Sequence, residues 1–162
     1  MPWWPDELWR CMLDGSDCPM CANGHEATND HGALIATLPG SYARLCINQT
    51  RPGYVVAIAR RHAAELHDLT ADELSAFWRD VAALGRTVAA LFQPVKLDYL
   101  VMGHLCPHVH CHLYPQYNDS DPNALIDVRS GDVRLESGEW ADRIASIRSH
   151  LASHYPSARH AP

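Results

Sequence analysis

Apolar positions along the chain recur with two different periods, and the switches between them divide it into elements. "ALIATL" (33–38), "YARLCIN" (42–48) and "GYVVAIAR" (53–60) are short runs rich in apolar and β-branched residues. Pro39-Gly40 separates the first two and Pro52-Gly53 precedes the third, so a hairpin followed by another strand is predicted. From Thr70 the period lengthens. Leu74, Phe77, Trp78, Val81, Leu84, Val88, Leu91 and Phe92 recur at helical spacing and make a broad apolar stripe that stops before Pro94. "TADE" at its start offers a capping box, with Glu73 reaching back to Thr70. "KLDYLVMG" (96–103) and "PHVHCHLYP" (107–115) return to strand patterning across the tight link "HLCP". A short helix is predicted over "PDELWRCML", with Pro5 near its first turn. A last helix runs from about Ser137, with Trp140, Ile144, Ile147 and Leu151 on one side. This order predicts an α+β fold: a sheet of about five strands, mostly antiparallel, one long helix and a C-terminal helix.

The segment 107–115 also carries chemistry. A strand alternates its side chains between two faces, so His108, His110 and His112 share one face while Val109, Cys111 and Leu113 share the other. The second set suits a core, which leaves the imidazoles facing a ligand. Neighbours on that face lie about 7 Å apart, close enough to converge on one phosphate or one metal ion. Three readings are open: histidines facing solvent or filling a polar pocket; imidazoles ligating a metal; or a neutral imidazole attacking phosphorus beside one that stabilises charge. A third ligand on one straight strand strains a tetrahedral site.

Composition narrows the field. With 162 residues, 47% hydrophobic and 20% charged, the chain reads as one folded domain spanning 1–162. No apolar run approaches the length of a membrane span. The start, "MPWWPDELWRCMLDG", lacks the pattern of a secretory signal, so a cytoplasmic location is the default expectation. The six cysteines then read as thiols or metal ligands. A net charge of −6 argues against long nucleic acid as the main partner and leaves room for one small phosphorylated ligand. His25, His31, His67, His150, His154 and His160 sit in polar contexts and read as solvated. Cys18-x-x-Cys21 supplies two ligands of a metal knuckle, or two small buried thiols, or a redox pair. Trp3, Trp4 and Trp9 suggest an N-terminal segment packed on its own chain or on a partner.

The order and spacing of these segments resemble the histidine-triad (HIT) family, whose pattern is His-φ-His-φ-His-φ-φ with φ apolar. "YARLCIN", "RPGYVVAIARRHAAELHDLTADEL" and "MGHLCPHVHCHLYPQY" carry the resemblance, which covers about 18–117 and leaves 118–162 as a C-terminal helical extension. It implies a HIT-like fold and a nucleotide hydrolase or nucleotidyl transferase, of the zinc-binding Cys-x-x-Cys type that includes dinucleoside polyphosphate hydrolases. Carried over position by position, His110 is the nucleophile that takes the nucleotidyl group from the α-phosphorus, and His112 contacts the phosphate and assists the leaving group. Gly103 borders the phosphate, Asn48 binds ribose or plays a plain turn role, and His104 is a pocket residue or a rival metal ligand. Cys18, Cys21, His62 and His108 are implied as a closed structural zinc site. The resemblance further implies a nucleotide or nucleoside polyphosphate ligand and a homodimer formed through the long helix and a strand, with some of Phe77, Trp78 and Phe92 at the partner. A non-catalytic nucleotide-binding or signalling module is the alternative. The chain departs from the family pattern at His104 (usually Asn), Gln116 (Arg) and Leu105 (Ser in the nucleoside phosphoramidases).

Overall fold

The computed structural model describes residues 4–160. Trp3 lies outside the described residues, as does the side chain of His160. Chain order is α1 (Asp6–Leu13), α2 (Pro19–Asn23), β1 (Thr28–Asn29), β2 (Gly32–Thr37), β3 (Ser41–Cys46), β4 (Val55–Ala59), α3 (Ala71–Phe92), β5 (Lys96–Leu100), β6 (His110–Gln116), α4 (Ser137–His154) and β7 (Arg159–His160). The strands form one sheet in the order β1-β2-β3-β4-β6-β5, with β7 beside β2, and every pairing is antiparallel. This is the expected α+β architecture: five principal strands plus two pairs of residues at the β2 edge.

Alternation along the strands sorts the two faces. Ala43 and Leu45, Val55 and Ala57, and Cys111 and Leu113 point into the core, which α3 and α4 cover. Arg44, Cys46, Val56, Ile58 and His112 belong to the opposite face and line a cavity there. The helix start follows the predicted capping box: Glu73 N–H donates to Thr70 Oγ1 at 3.3 Å and Thr70 N–H to Glu73 Oε2 at 2.8 Å. The helix ends at Gln93 in the left-handed conformation (φ 49°), directly before Pro94. The β2–β3 turn lies so close to α3 that a Cβ on Gly40 would come within 2.5 Å of the Phe77 backbone nitrogen. Asp80 of α3, fully buried, fixes that approach. It accepts hydrogen bonds from Gly40 N–H (2.8 Å), Ser41 Oγ (2.9 Å) and the Tyr155 hydroxyl beyond α4 (2.7 Å).

Four expectations change. The strand of the histidine triplet starts at His110, because residue 108 is still in a turn, its N–H donating to Cys106 O. Pro115 lies inside β6 rather than at its limit; the β4 ladder ends at Val55–Leu113, so the missing N–H costs no bond there. His150 and His154 are half-buried, with rings 5.0 Å apart, and His154 bonds the carbonyls of His150 and Ala83. Phe77 is wholly buried and Phe92 packs on the core, so of the three aromatics offered for a partner only Trp78 is exposed (39%). No helix among the described residues is long and apolar enough to cross a membrane.

Candidate functional site

Four side chains from three separate segments converge beside β6. Cys18 and Cys21 come from the turn that opens α2, His62 from the loop after β4 and His108 from the turn before β6. Their ligand atoms all lie within 4.8 Å of one another. The Nδ1 atoms of His62 and His108 are 3.3 Å apart, Cys18 Sγ is 3.4 Å from His108 Nδ1, and Cys21 Sγ is 3.4 Å from His62 Nδ1 and 3.5 Å from His108 Nδ1. In a zinc tetrahedron, bonds of about 2.0 Å to nitrogen and about 2.3 Å to sulfur put two nitrogens about 3.3 Å apart and nitrogen about 3.5 Å from sulfur. These four donor edges fit a tetrahedral ion. The far nitrogens are also committed: His62 Nε2–H donates to Leu13 O (2.9 Å) and His108 Nε2–H to Ala59 O (2.8 Å), which leaves both Nδ1 lone pairs for the metal. Burial pushes the His108 pKa down to about 4, keeping the ring neutral as a ligand must be. His110, His112 and His104 stand outside this group, so a site built from the whole triplet is not what the chain forms. Cys106 is close, its Sγ 3.9 Å from Cys18 Sγ, and also stands outside it.

His110 and His112 follow on β6 with different settings. The His110 Nδ1–H donates to the carbonyl of His108 at 2.6 Å, which fixes the tautomer and leaves the Nε2 lone pair free. Burial lowers its pKa, helped by His104, against the opposing effect of that carbonyl. The His112 ring stands edge-on to it, centroids 4.9 Å apart, and burial pushes its pKa down to about 3. Its Nδ1 lies 2.7 Å from the hydroxyl of Tyr54, a phenol that burial holds protonated. Both imidazoles are thus neutral near pH 7.

A cavity of about 610 Å³ opens on this face of the sheet. His112 lines it, whereas His110 does not and is only 4% exposed. Its floor is apolar at Val56 and Ile58; one wall is α2 and another is the segment 128–134 from the C-terminal extension. Asn48 lines it too, but its amide is spent on the chain: Nδ2 donates to Ser130 O (3.1 Å) and Gly131 O (3.0 Å), and Oδ1 accepts from Thr50 N–H (3.0 Å) and Oγ1 (2.7 Å). Gly103 is exposed, and a Cβ there would meet only Ala64 O at 3.9 Å, so crowding does not demand the glycine. His104 is exposed, and its carbonyl accepts from Trp4 Nε1 at 3.4 Å. Sequence reasoning missed Tyr54, Arg44, Cys106 and the 128–134 wall. Arg44 alone left a signal, a charge in the middle of an apolar strand.

Residues 27–119 match the family described as HIT domain. The chain belongs to the HIT domain family. Three solved structures show the shared HIT fold at low identity. A histidine triad protein from Bradyrhizobium japonicum superposes with a TM-score of 0.69 at 18% identity, covering 75% of this chain and 92% of its own. A zinc-bound histidine triad family protein from Mycobacterium smegmatis gives 0.60 at 16%, covering 85% and 95%. The diadenosine triphosphate hydrolase of Plasmodium falciparum, in complex with cyclomarin A, gives 0.59 at 15%, covering 79% and 81%. No curated protein compared with the chain matches it.

Proposed function

We propose that this HIT protein is a nucleotide hydrolase or nucleotidyl transferase acting through a covalent nucleotidyl-His110, on nucleoside phosphate esters or anhydrides such as dinucleoside polyphosphates. The observation that carries the reading is the 2.6 Å bond from His110 Nδ1–H to the His108 carbonyl, which leaves the ring neutral with the Nε2 lone pair unspent. That nitrogen attacks phosphorus, the leaving group departs, and water or another acceptor later takes the nucleotidyl group from the ring. With the Tyr54 hydroxyl as donor to His112 Nδ1, the proton of His112 sits on Nε2, where it can bond a phosphate oxygen and stabilise the charge of the leaving group. Gly103 and His104, on the exposed 103–105 link, border the phosphate. Asn48 contributes through the wall it anchors and not through a free amide.

Cys18, Cys21, His62 and His108 would hold zinc in a closed site, which supplies cross-linking of α2, the β4 loop and the start of β6 rather than an open position for water. The whole chain acts as one domain in the cytoplasm. Two copies pair through β5, an edge strand that exposes Tyr99 (48%) and is flanked by the exposed Val95 and Val101, and the exposed Trp78 of α3 joins the interface.

The 4% exposure of His110 favours a second reading, a nucleotide-binding or signalling module without turnover. Incubation with a panel of dinucleoside polyphosphates and nucleoside phosphoramidates, followed by intact-mass analysis, separates the two. The enzyme reading expects a nucleotidyl adduct that His110→Ala abolishes, with turnover lost at least a thousandfold and mononucleotide binding kept. Turnover that survives His110→Ala sinks it; binding without turnover by the unaltered chain selects the module.

A further inference from the structure

The cavity runs across the sheet along one pairing row. Arg44 on β3 is opposite Val56 on β4, and Val56 is opposite His112 on β6. Directly paired residues share a face, so the Arg44 and His112 side chains rise from the same side, two strand spacings or about 10 Å apart. This span is comparable with the reach of a mononucleotide from its phosphate to the far edge of its base. Between them Val56 and its neighbour Ile58 offer a flat apolar floor.

Three arginines line the cavity, and two are neutralised within their own segment: Arg129 pairs with Asp127 (3.4 Å) and Arg134 with Asp132 (3.0 Å). Arg44 differs. It is 3% exposed and, among the described residues, forms no ion pair with a carboxylate. Its Nη1 donates to Gly24 O (3.0 Å) and Glu26 O (2.6 Å), and Nη2 to Gly32 O (2.8 Å). These bonds clamp the guanidinium in place and use three of its five N–H groups; Nε–H and the second Nη2–H have no acceptor among the described residues. A fixed, buried fork with two spare donors at the edge of a cavity calls for two adjacent acceptors.

We propose that Arg44 reads the base of the bound nucleotide and selects 6-oxopurines, guanine above all, over adenine. This rests on the nucleotide reading of the site. Guanine presents O6 and N7 side by side as acceptors, the pair that arginine bonds in bidentate fashion, while adenine puts the N6 amino donor where O6 would be. One N–H of the fork would then face another donor and stay unpaired in a buried place.

The test is calorimetric titration of the full-length protein with GMP, IMP, AMP and 7-deaza-GMP. GMP and IMP should bind alike and about tenfold or more tighter than AMP, and replacing N7 by carbon should cost several-fold. In Arg44→Lys, which keeps the charge but loses the fork, the ratio of GMP to AMP affinity should fall towards one. Arg44 also ties down residues 24–32, so the four-ligand series on the unaltered chain decides the matter even where that variant does not fold. Equal binding of GMP and AMP overturns the role of Arg44 and leaves the nucleotide reading standing. IMP binding like AMP, or 7-deaza-GMP like GMP, overturns it as well, since the preference would then come from other atoms. Failure of all four to bind removes both readings.

Discussion

Replacing Asp80 gives a graded test of how the helical layer is fastened to the sheet. Its buried carboxylate accepts three hydrogen bonds, at 2.8, 2.9 and 2.7 Å, from the β2–β3 turn and from Tyr155. Bonds to a charged group contribute about 1.5–3 kcal/mol each, but the cost of burying the charge offsets part of that. That cost is visible in the side chain's pKa, which burial raises above its ordinary 3.8 despite the bonds from Tyr155 and Ser41 that oppose the shift. Asp80→Ala strands the Gly40 N–H and two hydroxyls in the interior, and we expect a loss of about 3–5 kcal/mol. For a chain of this length the loss lowers Tm by about 10 °C. Asp80→Asn keeps the shape. Its oxygen can face Gly40 and Ser41 while its amino group donates to the Tyr155 oxygen, whose hydroxyl turns to accept. The charge assistance and the burial cost of the charge are lost together, and the raised pKa shows that the cost is the larger, so a change of no more than about 1 kcal/mol is expected. The sign with pH follows from the raised pKa. The contribution of Asp80 is fully present below pH 3.8 and falls as pH rises through the raised value, and Asp80→Asn abolishes that fall. Urea unfolding followed by circular dichroism measures both variants, with an unchanged m-value required for the comparison. An alanine variant within 1 kcal/mol of the parent, or an asparagine variant as damaged as alanine, would refute the reasoning.

Two further outcomes are expected. Metal analysis after gel filtration should find zinc in the parent chain and in Cys106→Ser but not in Cys18→Ser or His62→Ala; loss of zinc from Cys106→Ser would show that the thiol 3.9 Å from Cys18 is itself a ligand. The Arg61 guanidinium, bonded to both oxygens of Glu73 at 2.6 and 2.7 Å, holds that carboxyl at about 2 against its ordinary 4.5, with the Thr70 N–H helping. Its stabilisation is present above pH 4.5 and disappears as pH falls towards 2, so Glu73→Gln should flatten acid unfolding across that interval and change nothing below it; an unaltered acid limb would contradict the pairing.

Local chemistry made much of the fold legible. Thr70 and Glu73 cap α3 as their spacing requires, and the alternation of Val109, Cys111 and Leu113 against the histidines correctly placed the core face of β6. The four-residue Cys/His cluster was legible only through the family resemblance, because its members are up to ninety positions apart and no local period connects them. The strand limit at His108 was misread because a tertiary bond, from its Nε2 to Ala59 O, draws the residue out of the ladder that its pattern fits. The 128–134 wall left no periodic trace, since it is held by side-chain bonds to Asn48 and Thr50 and not by a ladder of its own.

One carbonyl oxygen joins the two halves of the site. His108 offers its ring to the cysteine cluster, and its main-chain oxygen receives the proton of the His110 ring. Any strain, chelation or oxidation that twists residue 108 therefore turns the next imidazole through a single peptide unit, with no relay of intervening side chains. The residue that joins the cysteine cluster in that sense also sets the aim of the His110 ring.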